Sequence, residues 1–268
     1  MPVQPLLLTA HNPGPMTGKG NNTYLLVEGR SATLIDAGVG DPRHLADLAA
    51  ALAGAGAALT QVLVTHGHPD HASGAPALAA AYPAARFLKY PWPLEDGRSP
   101  IEWTHVGEGE ELLLGGKALI TLHTPGHSPD HLAFLDRSEG AIFAGDLLVK
   151  GGSVMIHTSK GGNLALYLAS LERLLALQPR VIFPAHGPVI DDPQAVISAY
   201  LAHRRLREAQ VISALRAGRA TVEAITDSIY DDLDPALLAA ARENVRAQLE
   251  KLRVEHRAHP DGAEWRLD

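Results

Sequence analysis

The stretch Thr65-His66-Gly67-His68-Pro69-Asp70-His71 packs three imidazoles and a carboxylate into six residues, His66 to His71. It follows the apolar run Val62-Leu63-Val64 and precedes Ser73-Gly74-Ala75-Pro76 and an alanine-rich segment, the order of a strand, a loop and a helix start. A loop at such a junction can aim several side chains at one point from a rigid scaffold. Neutral imidazoles and carboxylates offer lone pairs to zinc or iron, and ligands this close in sequence lose little extra entropy when gathered. A polar loop with chance histidines is the bland alternative. The spacing His-x-His-x-Asp-His is much rarer than the lone histidine that serves packing, so the stretch reads as a metal-binding loop.

The rest of the chain limits what that loop can belong to. With 268 residues, 46% hydrophobic and 20% charged, the composition is that of a soluble globular enzyme with one large core, or a large domain and a small one. A net charge of -7 gives no global attraction to nucleic acid or to an anionic membrane. The absence of cysteine excludes a disulfide partner, thiolate ligands and a cysteine nucleophile, so a metal must bind through nitrogen and oxygen. The N-terminus Met1-Pro2-Val3-Gln4-Pro5-Leu6-Leu7-Leu8 lacks a basic region and a long apolar segment, and no run is long enough to span a bilayer. A cytoplasmic protein without a membrane partner is expected.

Outward from the loop, the chain repeats one device. Beyond a Pro- and Gly-rich segment, Asn12 to Gly20, strands Asn22–Val27 and Ala32–Asp36 form a hairpin, a helix runs from His44 to Ala58, and strand Val62–Val64 delivers the histidine loop. A helix over Ala75–Ala81 and a strand over Arg86–Lys89 follow, then an irregular Pro-rich stretch from Pro91 to Thr104. A hairpin of Glu111–Leu114 and Ala118–Leu122 runs into Thr124-Pro125-Gly126-His127-Ser128-Pro129-Asp130-His131. Strands Leu132–Leu135 and Ala141–Ala144 lead to Gly145-Asp146. Two glycine pairs bracket Met155, His157 and Lys160 in what reads as a mobile loop. A helix over Leu164–Leu177 and strand Arg180–Phe183 then deliver Pro184-Ala185-His186-Gly187. Each time an apolar strand ends in a potential ligand, which is how a sheet edge collects a site. From Pro193 the pattern changes to three helices, Pro193–Ala217, Thr221–Tyr230 and Pro235–Val254, and a short hairpin about Pro260-Asp261-Gly262, a winged-helix shape. Arg204, Arg205 and Arg207 read as a solvated helix face rather than a phosphate-binding stripe.

Collected at strand ends, His66, His68, Asp70, His71, His127, Asp146 and His186 amount to ligands for two metal ions. With these motifs the chain resembles the metallo-β-lactamase superfamily. The resemblance implies an α+β fold, an αββα sandwich over residues 1–192, with a winged-helix-like module over 193–268. It further implies that His66, His68 and His127 hold one divalent ion, that Asp70, His71 and His186 hold the other, and that Asp146 bridges them. Zinc is the first expectation, with iron or manganese as alternatives. Asp70 and Asp146 would serve catalysis around a metal-bridging hydroxide. Asp36, Asp130 and His131 would support the ligands, and Asn22, His157 and Lys160 are weaker candidates for touching substrate.

The segments Asn22-Thr23-Tyr24-Leu25, Phe143-Ala144-Gly145-Asp146, Ala185-His186-Gly187-Pro188 and Tyr200-x-x-His203-Arg204-x-x-Arg207-Glu208 are similar to the β-lactamase-like protein 2 group. That group includes an endoribonuclease acting on single-stranded RNA, so the resemblance implies a metal-dependent phosphodiesterase. A glyoxalase-II-like thioesterase on a small ester or thioester is the alternative, and a mononuclear-iron persulfide dioxygenase a further one. A nucleic-acid-binding module on a dead hydrolase is disfavoured by the intact ligand set. A homodimer is left open.

Overall fold

The computed structural model describes residues 5–14 and 17–268. The first four residues of the N-terminal stretch, and residues 15 and 16 of the Pro- and Gly-rich segment, lie outside them. The strands are β1 (Leu6–Thr9), β2 (Asn22–Glu28), β3 (Ser31–Ile35), β4 (Ala58–Leu63), β5 (Arg86–Lys89), β6 (Trp103–His105), β7 (Glu111–Leu114), β8 (Lys117–His123), β9 (Leu132–Asp136), β10 (Ala141–Gly145), β11 (Val181–Pro184), β12 (Ala258–Asp261) and β13 (Glu264–Leu267). The helices are α1 (Pro42–Ala55), α2 (Pro69–Ala72), α3 (Ala75–Ala81), α4 (Pro93–Asp96), α5 (Leu164–Ala176), α6 (Pro193–Arg216), α7 (Val222–Ile229) and α8 (Leu238–Val254). Their described residues form two compact units interleaved along the chain. One comprises Met1–Thr124, Asp130–Gly152 and Gln178–Pro193; the other comprises Pro125–Pro129, Ser153–Leu177 and Gln194–Asp268.

Two mixed sheets build the first unit. One has the order β1-β2-β3-β4-β5-β6, antiparallel through β3 and parallel thereafter; the other has the order β11-β10-β9-β8-β7, with only β11 parallel to its neighbour. Side chains alternate across a strand, so each strand of the first sheet feeds two cores. Tyr24 and Leu26 of β2 join Ile35, Leu63, Phe134 and Phe143 between the sheets. Leu25 and Val27 turn outward and pack with Leu48 and Leu52 of α1 and Leu78 of α3. Burial on both faces is why these strands read as continuous apolar runs.

Local chemistry sets the boundaries where the sequence expectation differs. Helix α1 begins at Pro42, because Asp41 accepts the Arg43 amide as an N-cap and proline suits the first turn. It ends before Gly56, whose φ of 62° caps it, so Ala58 opens β4 rather than closing the helix. The stretch 91–104, expected to be irregular, holds α4 and the edge strand β6. Strand β1 lies near the N-terminus, where no element is expected from sequence; it pairs with β2 from Leu6 to Thr9.

In the second unit, Val211 and Ala214 of α6, Ile225 of α7, Val245, Leu249 and Leu252 of α8, and Ala258 form one apolar core, flanked by Trp265 and Leu267 of the β12–β13 hairpin. Arg204 departs from the solvated face expected for it: it is 3% exposed, while the Arg205 side chain stands 71% exposed. Three residues per helical turn cannot all face water on a helix that buries one side. No helix among the described residues is long and apolar enough to cross a membrane.

Candidate metal centre

The ligand-type residues of the first unit sit where its strands stop. After β4 the chain runs through Thr65 and His66, and α2 begins at Pro69, so Asp70 and His71 occupy its single turn. Asp146 follows β10, and His186 follows β11 one residue after Ala185. Backbone bonds tie these ends together: Leu132 N donates to Thr65 O (2.7 Å), Ala185 N to Gly145 O (3.1 Å) and Asn22 N to Ala185 O (2.8 Å). Gly145 must be glycine, since at φ 48° an added Cβ would press on His131 and Thr65.

The donor atoms converge. The Nε2 of His71 lies 3.5 Å from Asp70 Oδ2 and 3.4 Å from Asp146 Oδ1; the Nε2 of His186 lies 3.6 Å and 3.1 Å from the same two atoms. Asp70, His71 and His186 form one group able to hold a cation, and His66, His71 and Asp146 a second overlapping group. The Nε2 of His66 faces Nδ1 of His68 at 3.0 Å. His66 and His71 are fully buried, whereas the Asp70 side chain is 28% exposed, so the floor is imidazole and the open side is carboxylate.

Charges are held ready. Burial pushes the Asp70 carboxyl up, but hydrogen bonding and charge from His71, helped by Asn21, outweigh it and hold the group well below the usual carboxylate range. Burial acts likewise on Asp146, and the charges and hydrogen bonds of His71 and His186 override it downward. On His71, burial lowers the pKa while Asp36 and Asp146 raise it well above its ordinary value. Two ionised carboxylates sharing the same two imidazoles, without a thiolate, form a nitrogen-and-oxygen set suited to zinc, iron or manganese. A cation would offset the mutual repulsion of the carboxylates, so the residues present fit a divalent metal.

Around this centre, Asp36 Oδ2 lies 2.8 Å from His71 Nδ1, and its other oxygen accepts the Thr65 amide at 2.8 Å. Thr65 Oγ1 lies 3.1 Å from His66 Nδ1. Asp130 accepts the amide of Gly67 (2.8 Å) and pairs with the buried Lys89 (3.1 Å). His131 accepts the Asp146 amide at Nε2 (3.0 Å), its Nδ1 lies 2.9 Å from Thr124 Oγ1, and its ring lies 5.1 Å from that of His66. Asn22, singled out for substrate contact, is buried and donates to Pro184 O (2.9 Å) and Gly187 O (2.8 Å), bracketing His186. Its neighbour Asn21, which sequence reasoning passes over, donates to Asp70 Oδ2 at 3.0 Å and lies 3.4 Å from His71 Nε2. The one available signal is a pair of amides ahead of a strand. Trp92, also passed over, sets its ring 6.3 Å from that of His68.

The second unit carries His127, His157 and Lys160. His127 is buried, with Nδ1 3.0 Å from Met155 O. His157 is half-buried, 4.0 Å from Glu243, and burial with nearby Lys160 lowers its pKa. Lys160 closes an exposed 3-10 turn, Thr158–Lys160, inside the segment read as a mobile loop.

A sandwich of two mixed sheets whose strand ends gather histidines and aspartates defines a class of metal-dependent hydrolase. Residues 16–186 match the metallo-beta-lactamase superfamily, and the chain belongs to it; it is a metal-dependent hydrolase of that superfamily. Residues 221–265 match the beta-lactamase associated winged helix domain. Within the superfamily, the chain is 31% identical to the beta-lactamase-like protein 2 homolog of Caenorhabditis elegans, over 91% of this chain and 82% of that protein. It is 36% identical to the lactamase-like protein aptB of Emericella nidulans, over 78% of this chain but only 64% of the relative's length. Among solved structures, the metallo-beta-lactamase family protein TTHA1429 from Thermus thermophilus shares the fold at a TM-score of 0.80 and 24% identity, covering 98% of each chain. TTHA1623, solved in a di-iron-bound form, is 29% identical at a TM-score of 0.57, covering 74% of this chain and 98% of that one.

Proposed function

We propose that the protein is a binuclear hydrolase in which His66, His68 and His127 hold one divalent ion, Asp70, His71 and His186 hold a second, and Asp146 is shared. The observation that carries this reading is the convergence of Asp70 and Asp146 on the same pair of imidazole nitrogens, those of His71 and His186, at 3.1 to 3.6 Å. Zinc is the expected metal; the di-iron form of TTHA1623 keeps iron in view.

Bound divalent ions would lower the pKa of a water toward about 7 and polarise a scissile carbonyl or phosphoryl oxygen. The protein supplies the rest. Asp36 accepts a hydrogen bond from the Nδ1–H of His71 and Thr65 Oγ1 one from that of His66, so that both rings present Nε2 inward. Asn21 steadies the Asp70 carboxylate, the more exposed of the two acids, which would orient the attacking water by accepting a hydrogen bond from it. His131 holds the Asp146 backbone at the end of its strand.

For substrate, the likeness to beta-lactamase-like protein 2 homologs supports the first reading, single-stranded RNA cleaved at a phosphodiester. The net charge of -7 supports the second reading, a glyoxalase-II-like thioesterase on a small acyl thioester, because it gives no global pull on a polyanion. Single-stranded RNA, acyl-glutathione and acyl-CoA assayed side by side, with His68→Ala as control, separate the two. Turnover of RNA alone supports the first reading and turnover of thioesters alone the second. Equal rates in the His68→Ala protein would reject both.

A further inference from the structure

Arg204 has no task in the chemistry above, yet its burial demands an explanation. A guanidinium stays charged at any physiological pH, and enclosing it is unfavourable unless its donors are used. No carboxylate pairs with it among the described residues. Its partners are neutral: Nη2 donates to Val154 O and, at 3.4 Å, to Ser153 Oγ, and Nη1 donates to Asn244 Oδ1 at 3.2 Å. Its Cζ lies over the Tyr167 ring, 5.4 Å from the centroid. Gln248 Nε2 donates to its backbone carbonyl at 3.2 Å, holding that turn of α6 against α8.

Those partners lead to one side chain by two routes, both inside the second unit. Val154 precedes Met155, whose carbonyl lies 3.0 Å from His127 Nδ1. Tyr167 belongs to the helix α5 on which the His127 loop rests. Gly126, at φ 134°, approaches so closely that a Cβ would overlap the Tyr167 backbone; Asn163 N donates to Gly126 O (2.8 Å) and Ser170 Oγ to Pro125 O (2.8 Å). One guanidinium therefore braces both the segment whose Met155 carbonyl accepts the His127 Nδ1 hydrogen bond and the wall behind the preceding glycine.

We propose that Arg204 is the positioning residue for His127: it fixes the Ser153–Met155 segment so that Met155 O holds the proton on Nδ1 and the Nε2 lone pair is presented for a metal. This rests on the reading of His127 as a metal ligand. It assigns a task to the C-terminal helix α6, setting one ligand of the hydrolytic centre. Lysine cannot replace arginine here, because a single ammonium cannot reproduce two separate nitrogens donating to Asn244 and to the Ser153–Val154 segment from above the Tyr167 ring.

The test compares zinc titration calorimetry of metal-free wild type, His127→Ala and Arg204→Lys, together with the nitrogen-15 ring shifts of His127 in the metal-free proteins. Arg204→Lys is expected to leave one ion bound as in wild type, to weaken the other about 10- to 100-fold, and to turn a single Nδ1-protonated His127 into a mixture of tautomers. If His127→Ala binds zinc as wild type does, the underlying ligand reading fails. If His127→Ala loses an ion while Arg204→Lys keeps both affinities and one tautomer, only the role of Arg204 is overturned. Should Arg204→Lys lack a folded circular dichroism spectrum, Asn244→Ala, which removes one acceptor, carries the same comparison; a several-fold weakening supports the proposal and none overturns it.

Discussion

The Oδ2 of Asp36 lies 2.8 Å from the Nδ1 of His71, with side chains 3% and 0% exposed, so neither group has water as an alternative partner. Asp36 sits at φ 63°, which asparagine also tolerates. Asp36→Asn should therefore keep the fold while removing the charge that stabilises the ring proton. Metal affinity on the His71 side is expected to fall about 10- to 100-fold, read by zinc titration; unchanged affinity would mean that Asp36 serves packing alone.

Asn21 donates to Asp70 at both the carboxylate (3.0 Å) and the backbone carbonyl (3.2 Å). Asn21→Ala should loosen the open side of the centre and cost about 1 to 3 kcal/mol of stability, with a matching rise in the rate of zinc release to a chelator. An equal loss in stability without faster release would confine Asn21 to the fold.

Lys89 is 1% exposed and its ammonium stands between Asp96 (2.6 Å) and Asp130 (3.1 Å), the latter fastened to the Gly67 amide in the histidine loop. Removing one member of a buried ionic group leaves the others enclosed without that compensation. Lys89→Met is expected to destabilise the first unit by about 3 to 5 kcal/mol, read as a lowered urea midpoint.

Glu208 of α6 accepts from Lys251 at 2.6 Å and from Arg257 at 2.5 Å. Burial pushes its carboxyl up, but those two cations hold it below its ordinary value of 4.5. A depressed folded-state pKa means that the stabilisation is fully present above that ordinary value and is lost as pH falls through the folded one. Thermal melts of the wild type should drop across that acid window, while Glu208→Gln starts lower at neutral pH and changes less on acidification.

Much of this is legible along the chain. Strand ends that deliver His66, Asp146 and His186 are local signals, because a strand doubly buried is a run of apolar residues and a ligand must follow where the run stops. The supports are not. Asn21 reaches Asp70 across forty-nine positions and Lys89 meets Asp130 across forty-one, contacts that only the sheet order creates. Arg204 escapes a sequence reading because its neighbour Arg205 is exposed and the two look alike in a helix; only the packing of α6 on α8 decides which faces inward. Asn21 and Asn22 reach different partners, Asp70 and the carbonyls beside His186, because adjacent residues of an extended segment point to opposite sides.

The measurement that bears most directly on the binuclear reading is elemental analysis of the purified full chain beside Asp146→Ala. About two divalent ions per wild-type chain, with zinc predominant, and about one in the Asp146→Ala protein, are expected where a shared carboxylate joins two sites. One iron per chain with negligible zinc, unchanged by the substitution, would contradict it.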